Sequence, residues 1–186
     1  EKELLRRGLT FYDRFAQQNR ENPEAAFETG KAFCRVALLQ AGLGQNDEAQ
    51  AAYAESILRL KKLTEQHPTQ SEYFLELGKA YYGQGRLSRW WPSATDTFAQ
   101  AEAALSKAVE LDPQCAEAFA LRSKLYYTLN ENVKALTDQK VVVQLSPDDA
   151  ESHKQLAVRL KQTGDIRAAL GYAQETVQMA PNIPRY

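Results

Sequence analysis

The stretch AEAALSKAVELDP, residues 101–113, ends at a proline, and two later helical stretches also end at a proline. These later prolines are Pro147 and Pro181. The two intervals are equal, because 147 − 113 and 181 − 147 both give 34. Helical patterning at a fixed interval of 34 residues predicts stacked helix–turn–helix units rather than one irregular domain.

The side chains within this interval repeat as well as the prolines. Small residues recur where two helices must touch, and a large apolar residue follows three positions after the small one in each first helix; these residues are Ser123 and Ala157, Ala135 and Ala169, and Tyr126 and Leu160. The pattern resembles the tetratricopeptide repeat (TPR) family over nearly the whole chain. The resemblance implies an all-α fold, a right-handed α-solenoid of antiparallel helix pairs, with two lengthened units.

The repeat interval divides the chain into predicted segments. Residues 1–22 read as the second helix of a truncated preceding repeat, and 182–186 as a tail. The units between them are 23–68, which is extended, 69–113, which carries an insertion near 86–97, and then 114–147 and 148–181. No polar capping helix follows the last unit, which predicts uncovered apolar residues such as Tyr172, Val177 and Met179 on its second helix.

The first unit is expected to have both helices lengthened by about two turns. Asn22 and Pro23 suit a helix start, and residues 42–47 suit a turn in which a glycine ends one helix and Asn46 or Asp47 caps the next. Ala49 and Ser56 fit the small positions of the second helix, with the first helix starting early and Pro68 arriving late. These phrases resemble TPR regions attached to large bacterial signalling proteins such as serine/threonine kinases.

The composition argues against several classes of partner. Net charge is −1, from 23 basic and 24 acidic residues, so the chain as a whole has no electrostatic preference for nucleic acid or an anionic membrane. No run of 18 apolar residues predicts a membrane-spanning helix. Cys34 and Cys115 lie 81 residues apart, which suggests neither a disulfide framework nor a metal site. A cytoplasmic protein is expected.

Catalytic chemistry is not predicted. The two histidines, His67 and His153, fall in different units with no cysteine or histidine at a metal-ligand spacing. Neither a phosphate-binding glycine loop nor a nucleophilic triad is present, and residues 83–85 read as a turn that ends a helix. We therefore expect no enzymatic activity, cofactor or metal.

The TPR resemblance implies a binding surface on the first helices, which line the inner face of such arrays. The residues that it places there are Lys79, Tyr82, Lys124, Tyr127, Lys154 and Lys161, behind a row of helix-start acids at Glu72, Glu117 and Glu151. A groove with these lysines would favour an acidic, extended segment of a partner. An ordinary solvated helix face with extended lysines explains the same pattern. Unit one, with Cys34 and Leu38 at the corresponding places, does not match the carboxylate clamp of chaperone-binding TPR domains.

Both tryptophans, Trp90 and Trp91, fall in the predicted insertion. They could fold back over the lengthened neighbouring helices, or they could form an exposed aromatic contact for a partner. Both interpretations remain open at this point.

The function expected from these features is a protein–protein interaction scaffold that binds a peptide or a neighbouring domain. Two alternatives remain. The array could be a regulatory or docking arm of a larger, kinase-like enzyme, or a module that forms homo-oligomers through uncapped helix ends.

Overall fold

The computed structural model describes residues 10, 11, 14, 18, 22–87 and 93–179. The two long described ranges contain eight α-helices and no strand. Residues 10, 11, 14 and 18 are also helical, and the other residues of the helix predicted before Asn22 lie outside the described part. The helices are α1 (Pro23–Gly42), α2 (Asn46–Gln66), α3 (Ser71–Leu87), α4 (Ser93–Leu111), α5 (Ala116–Thr128), α6 (Asn132–Leu145), α7 (Ala150–Gln162) and α8 (Ile166–Met179).

The chain divides into two compact units, residues 1–111 and 112–186. In the first unit, α1 packs on α2 and α3 on α4, and α2 and α3 join the two pairs. In the second unit, α5 packs on α6 and α7 on α8, with α6 against α7. The all-α architecture of helix pairs predicted from the repeat is therefore confirmed.

Small residues set the closeness of each helix pair. An ideal Cβ on Gly30 would come 2.9 Å from Cγ of Leu60, and one on Gly78 would come 2.6 Å from Cγ of Leu105. In the second compact unit, residues 112–186, the residue equivalent to these glycines is Ser123. Its hydroxyl donates a proton to the carbonyl oxygen of Ala135 at 2.8 Å. The first helices α1, α3 and α5 thus meet their partners through a residue without a bulky side chain, and the repeat pattern predicted this contact at Ser123.

The register expected for the first repeat is wrong. Gly30 is the eighth residue of α1, as Gly78 is of α3, so the first helix starts on time and not early. Ser56, whose hydroxyl donates to the carbonyl oxygen of Gly30 at 2.8 Å, takes the place of Ala135. The extra turns of α1 and α2 therefore lie at the turn that joins them. Lys31 then takes the place equivalent to Lys79.

Residues with a left-handed backbone end the first helix of three pairs. Gly44 and Gly164 have φ of +73° and +89°, and Asn130 has φ of +61°. Glycine and asparagine tolerate this conformation better than other residues do. The predicted glycine stop in residues 42–47 is confirmed at Gly44.

Helix caps were predicted at the starts of α1 and α2, and only the cap of α1 is confirmed. Asn22 caps α1 by accepting from the backbone N–H groups of residues 24 and 25, as expected. Neither Asn46 nor Asp47 caps α2, because that helix begins at Asn46 itself and the cap position is Gln45. The cap of α7, for which the sequence analysis named no residue, is Asp149.

Residues 83–85 do not form the turn expected from their two glycines. α3 continues through them to Leu87. An added Cβ on Gly83 would lie 2.4 Å from Cζ of Tyr53, and one on Gly85 would lie 2.7 Å from Cε1 of Phe98. These glycines therefore make room for aromatic rings of neighbouring helices, a role that outweighs their poor helix propensity.

Candidate functional site

In the second compact unit, a polar and aromatic cluster joins α5 and α7, the first helices of its two pairs. We call it the Tyr127 cluster; it is formed by Tyr127, Arg159 and Gln162. The guanidinium carbon of Arg159 lies 4.0 Å from the centroid of the Tyr127 ring, within cation–π range. Gln162 donates its amide proton to the Tyr127 hydroxyl oxygen at 3.1 Å. Arg159 also donates to the Ser123 hydroxyl at 3.4 Å and is buried. The cluster therefore holds a 37% exposed tyrosine in one orientation.

Three of the predicted lysines lie on α5 and α7, the two helices that this cluster joins. Lys124 is exposed and lies one turn before Tyr127 on the same helix face. Lys161 is exposed and adjoins Gln162. Lys154 is exposed and forms an ion pair with Glu151, with the ammonium nitrogen 3.1 Å from the carboxylate oxygen. The structure thus brings the unit 2 candidates to the surface of two neighbouring first helices.

The candidates in the first compact unit, Lys79 and Tyr82, already contact neighbouring side chains. The ammonium nitrogen of Lys79 lies 2.6 Å from a Glu76 carboxylate oxygen, and the lysine is half-buried. Tyr82 is half-buried, with its ring centroid 6.3 Å from that of Phe98. A partner would have to compete with these contacts, so Lys79 and Tyr82 are weaker candidates than Lys124 and Tyr127.

A second surface of unit 2 is a groove between α7 and α8, with a volume of about 400 Å³. We call it the α7–α8 groove. Ala169 is buried at its base, whereas Val158 and Leu170 are 37% and 60% exposed. Apart from Lys154, Lys161 and Thr176, its lining residues are aliphatic: Ala157, Val158, Ile166, Ala169, Leu170 and Ala173.

The charges and thiols near these surfaces do not indicate reactive groups. The hydrogen bond from Gln155, followed by the interactions with Lys154, lowers the pKa of Glu151, which keeps this carboxylate ionised and paired. Burial raises the pKa of the Cys34 thiol to about 12, which suppresses the nucleophilic thiolate. No group of three or more histidine, cysteine or acidic side chains within the described ranges could hold a metal ion.

The two histidines lie where helices and corners meet. His153 is buried, with Nδ1 3.1 Å from a Glu175 carboxylate oxygen and Nε2 2.9 Å from the carbonyl oxygen of Pro147. Its ring centroid is 5.6 Å from that of Tyr172. The ring therefore ties the Pro147 corner to α8, which is a structural role.

Comparisons with known proteins agree with this architecture. The sequence model described as "Tetratricopeptide repeat" matches residues 94–150. The fold is a tetratricopeptide-repeat fold. No curated protein sequence matched the chain significantly.

Solved TPR structures resemble the chain over most of its length. TTC0263, a thermophilic TPR protein in Thermus thermophilus, is 24% identical with a TM-score of 0.67, over 94% of this chain and 82% of that one. MamA 41-end from Desulfovibrio magneticus RS-1 is 18% identical with a TM-score of 0.65, over 99% and 93%. The first TPR of Spaghetti (RPAP3), bound to the HSP90 peptide SRMEEVD, is 24% identical with a TM-score of 0.52, over 68% and 92%.

Some residues of the candidate TPR surfaces were not anticipated from the sequence. Arg159 and Gln162 complete the Tyr127 cluster, and Ile166 and Leu170 line the groove. The groove had a detectable signal, because residues 166, 170, 173 and 177 of α8 are aliphatic at helical spacing. Arg159 had none, because its burial depends on a tyrosine one repeat earlier.

Two further observations limit the site. Trp90 and Trp91 lie outside the described residues, so their part in partner binding stays a prediction. None of the described helices combines the length and the apolar character that crossing a membrane requires.

Proposed function

We propose that this chain is a protein-interaction module whose first helices bind an acidic, extended segment of another protein. The observation that carries the proposal is the Tyr127 cluster, in which Arg159 and Gln162 hold an exposed tyrosine one turn after Lys124. A preoriented tyrosine offers apolar area and a hydroxyl at a small entropy cost. The exposed ammonium groups of Lys124 on α5 and of Lys161 on α7 would attract carboxylates.

The comparison with the RPAP3 structure supports this choice of ligand. The peptide bound to that TPR domain, SRMEEVD, contains two glutamates and one aspartate. An acidic peptide is therefore a ligand that a TPR fold can hold. The Cys34 and Leu38 argument about the carboxylate clamp depended on the first-repeat register that the structure corrects, so we propose only the charge class of the ligand and not that peptide itself.

Peptide binding measured by fluorescence anisotropy tests the proposal. A labelled glutamate-rich peptide should bind the wild-type chain. Its affinity should fall several-fold as the salt concentration is raised, because salt screens exposed charges. Lys124→Glu should weaken binding about tenfold at low salt, since it replaces an attraction by a repulsion. Tyr127→Ala should weaken it as well.

Lys140→Glu is the matched control, because Lys140 is an exposed lysine on the second helix α6. It makes the same change in net charge at a site away from the Tyr127 cluster, so peptide affinity should stay near that of the wild type. Equal losses for Lys124→Glu and Lys140→Glu would mean that overall charge, and not this surface, attracts the peptide.

A further inference from the structure

The apolar face of α8 is wider than its contact with α7 requires. Ala169 joins a core with Leu156 and Leu160, and Tyr172 packs against it, so Tyr172 is covered although the sequence predicted it to be uncovered. Beside this contact runs a second stripe, in which Ile166 and Leu170 are 52% and 60% exposed and which continues at residues 173 and 177. The part of a surface helix that no neighbour covers is normally polar. The second stripe therefore has the composition of a contact surface.

The shape beside this stripe suits a third helix. α7 and α8 form the two sides of the α7–α8 groove, and alanines 157 and 173 keep it open. Helices pack by placing the side-chain ridge of one into the groove of another, and small residues allow close approach. An amphipathic helix can enter such a groove with apolar residues at i, i+3, i+4 and i+7.

An extended segment fits this groove less well than a helix does. An extended backbone brings unpaired N–H and C=O groups, and an aliphatic lining offers them no hydrogen-bond partner. A helix satisfies most of these groups internally. The lining around Leu170 and Ala173 therefore selects for helical secondary structure in the ligand.

The charges at the groove define the flanks of the ligand. Lys154 and Lys161 both line it and are exposed, and their spacing of seven residues on α7 is two turns, or about 10 Å. Carboxylates two turns apart on a bound helix would reach both ammonium groups, and the one at Lys154 would compete with Glu151, whose carboxylate oxygen lies 3.1 Å from the Lys154 ammonium nitrogen. A second copy of the same groove would instead bring lysines towards lysines.

We propose that the α7–α8 groove binds an amphipathic helix of a partner protein, with an aliphatic stripe over Leu170 and acidic residues facing Lys154 and Lys161. This inference rests on the proposed function, because both make the chain a protein-binding module. It adds a second ligand class, a helix, at a surface distinct from the Tyr127 cluster.

The probe is a labelled peptide of about 18 residues, long enough to form a helix in the groove, with leucines at helical spacing and glutamates flanking them. It should bind the full chain in an anisotropy titration. Leu170→Glu should weaken binding about tenfold or more, because a carboxylate would enter the apolar contact. Gln174→Glu adds the same charge at an exposed α8 residue outside the groove lining and should leave affinity unchanged. Circular dichroism should show that both variants keep wild-type helicity.

Two related peptides test shape and charge. A version with a central proline, which cannot continue a helix, should lose binding. A version with lysines in place of the glutamates should also bind less tightly than the original peptide. Lys161→Glu should reduce the difference in affinity between the glutamate and the lysine peptide. Equal binding of all three peptides, or equal losses for Leu170→Glu and Gln174→Glu, would overturn the inference.

The same variants separate this inference from the proposed function. Lys124→Glu should weaken binding of the extended acidic peptide but should not change binding of the helical peptide. If the extended peptide binds at the Tyr127 cluster and the helical one does not bind, only the groove inference fails. Self-association in sedimentation that Leu170→Glu abolishes would identify a second copy as the occupant and would also overturn it.

Discussion

Single residues decide how closely the helices of a pair approach. Gly78 is buried, and an added Cβ would lie 2.6 Å from both Cγ and Cδ2 of Leu105, a side chain with no exposed surface. Leu105 has little room to move away. The contact therefore depends on the missing methyl group, even though glycine is a poor helix former.

We predict that Gly78→Ala lowers the free energy of unfolding by about 1–3 kcal/mol through overpacking. The matched control is Gly171→Ala, because Gly171 lies in α8 and has nothing within 4 Å of an added Cβ. This control should raise stability by about 0.5–1 kcal/mol, the helix-propensity gain alone. Urea unfolding followed by circular dichroism measures both. A stabilised Gly78→Ala variant would contradict the assigned contact.

At the scale of helix pairs, some contacts between the two helices occur in one repeat and not in the next. In α5 and α6, Arg122 donates to Asp138 from Nε at 2.7 Å and from a terminal nitrogen at 2.8 Å. One repeat later the same places hold Leu156 and Tyr172. Arg122 and Asp138 are paired in bidentate geometry, which satisfies both charges.

A double-mutant cycle tests this pairing between the two helices. Asp138→Tyr alone should cost about 3 kcal/mol, because it leaves the Arg122 charge largely buried and unpaired, and Arg122→Leu alone should also destabilise the fold because it leaves Asp138 unpaired. The double variant Arg122→Leu/Asp138→Tyr, which copies the next repeat, should recover most of that loss. Additive losses in thermal unfolding would show that the two side chains act independently.

The start of α7 depends on one carboxylate. Asp149 accepts hydrogen bonds from the backbone N–H groups of Glu151 and Ser152 and from the Ser152 hydroxyl. The hydrogen bond from that hydroxyl contributes most to lowering the pKa of Asp149 below its ordinary value. A carboxyl with a lowered folded-state pKa stabilises the fold above its ordinary pKa. That stabilisation disappears as the pH falls through the folded-state pKa.

We therefore predict that Asp149→Ala costs about 1 kcal/mol at neutral pH, the typical value of a helix cap. The difference from the wild type should shrink as the pH falls below about 4, because the unfolded chain takes up a proton there before the folded wild type does. Asp148→Ala is the control, since Asp148 is exposed and is not the cap, and it should cost less than about 0.5 kcal/mol. A pH-independent difference in urea midpoint would show that the carboxylate charge is not responsible.

The whole molecule is close to neutral, so any preference for an acidic partner has to come from local surfaces. The candidate residues divide between the two compact units, with Lys79 and Tyr82 in the first and the other described candidates in the second. Trp90 and Trp91 are the two tryptophans of the chain. Tryptophan emission therefore reports on that segment of the whole molecule and on no other.

If the tryptophans form an exposed contact for a partner, their emission should be red-shifted and acrylamide should quench it readily. Trp90→Phe and Trp91→Phe would assign the signal to each ring. Blue-shifted, protected emission would favour the alternative in which the rings cover the lengthened helices.

The amino-acid sequence by itself determined the helix pairs of this protein. In residues 114–181 the 34-residue interval repeats small residues at the places where two helices were expected to touch, a pattern typical of stacked helix–turn–helix repeats. It also predicted lysines and a tyrosine on the exposed faces of α5 and α7. These features are local, because helix periodicity alone sets which residues share a face.

The tertiary structure decided what depends on the neighbour opposite a residue. Ala49 and Ser56 are both small enough for a helix contact, and only the bond from Ser56 to Gly30 shows which one sets the register. Gly83 reads as a helix stop until Tyr53 is found against it. Arg159 is buried because Tyr127, one repeat earlier, lies over its guanidinium group. Such contacts join residues far apart in the chain, so no local pattern of side chains encodes them.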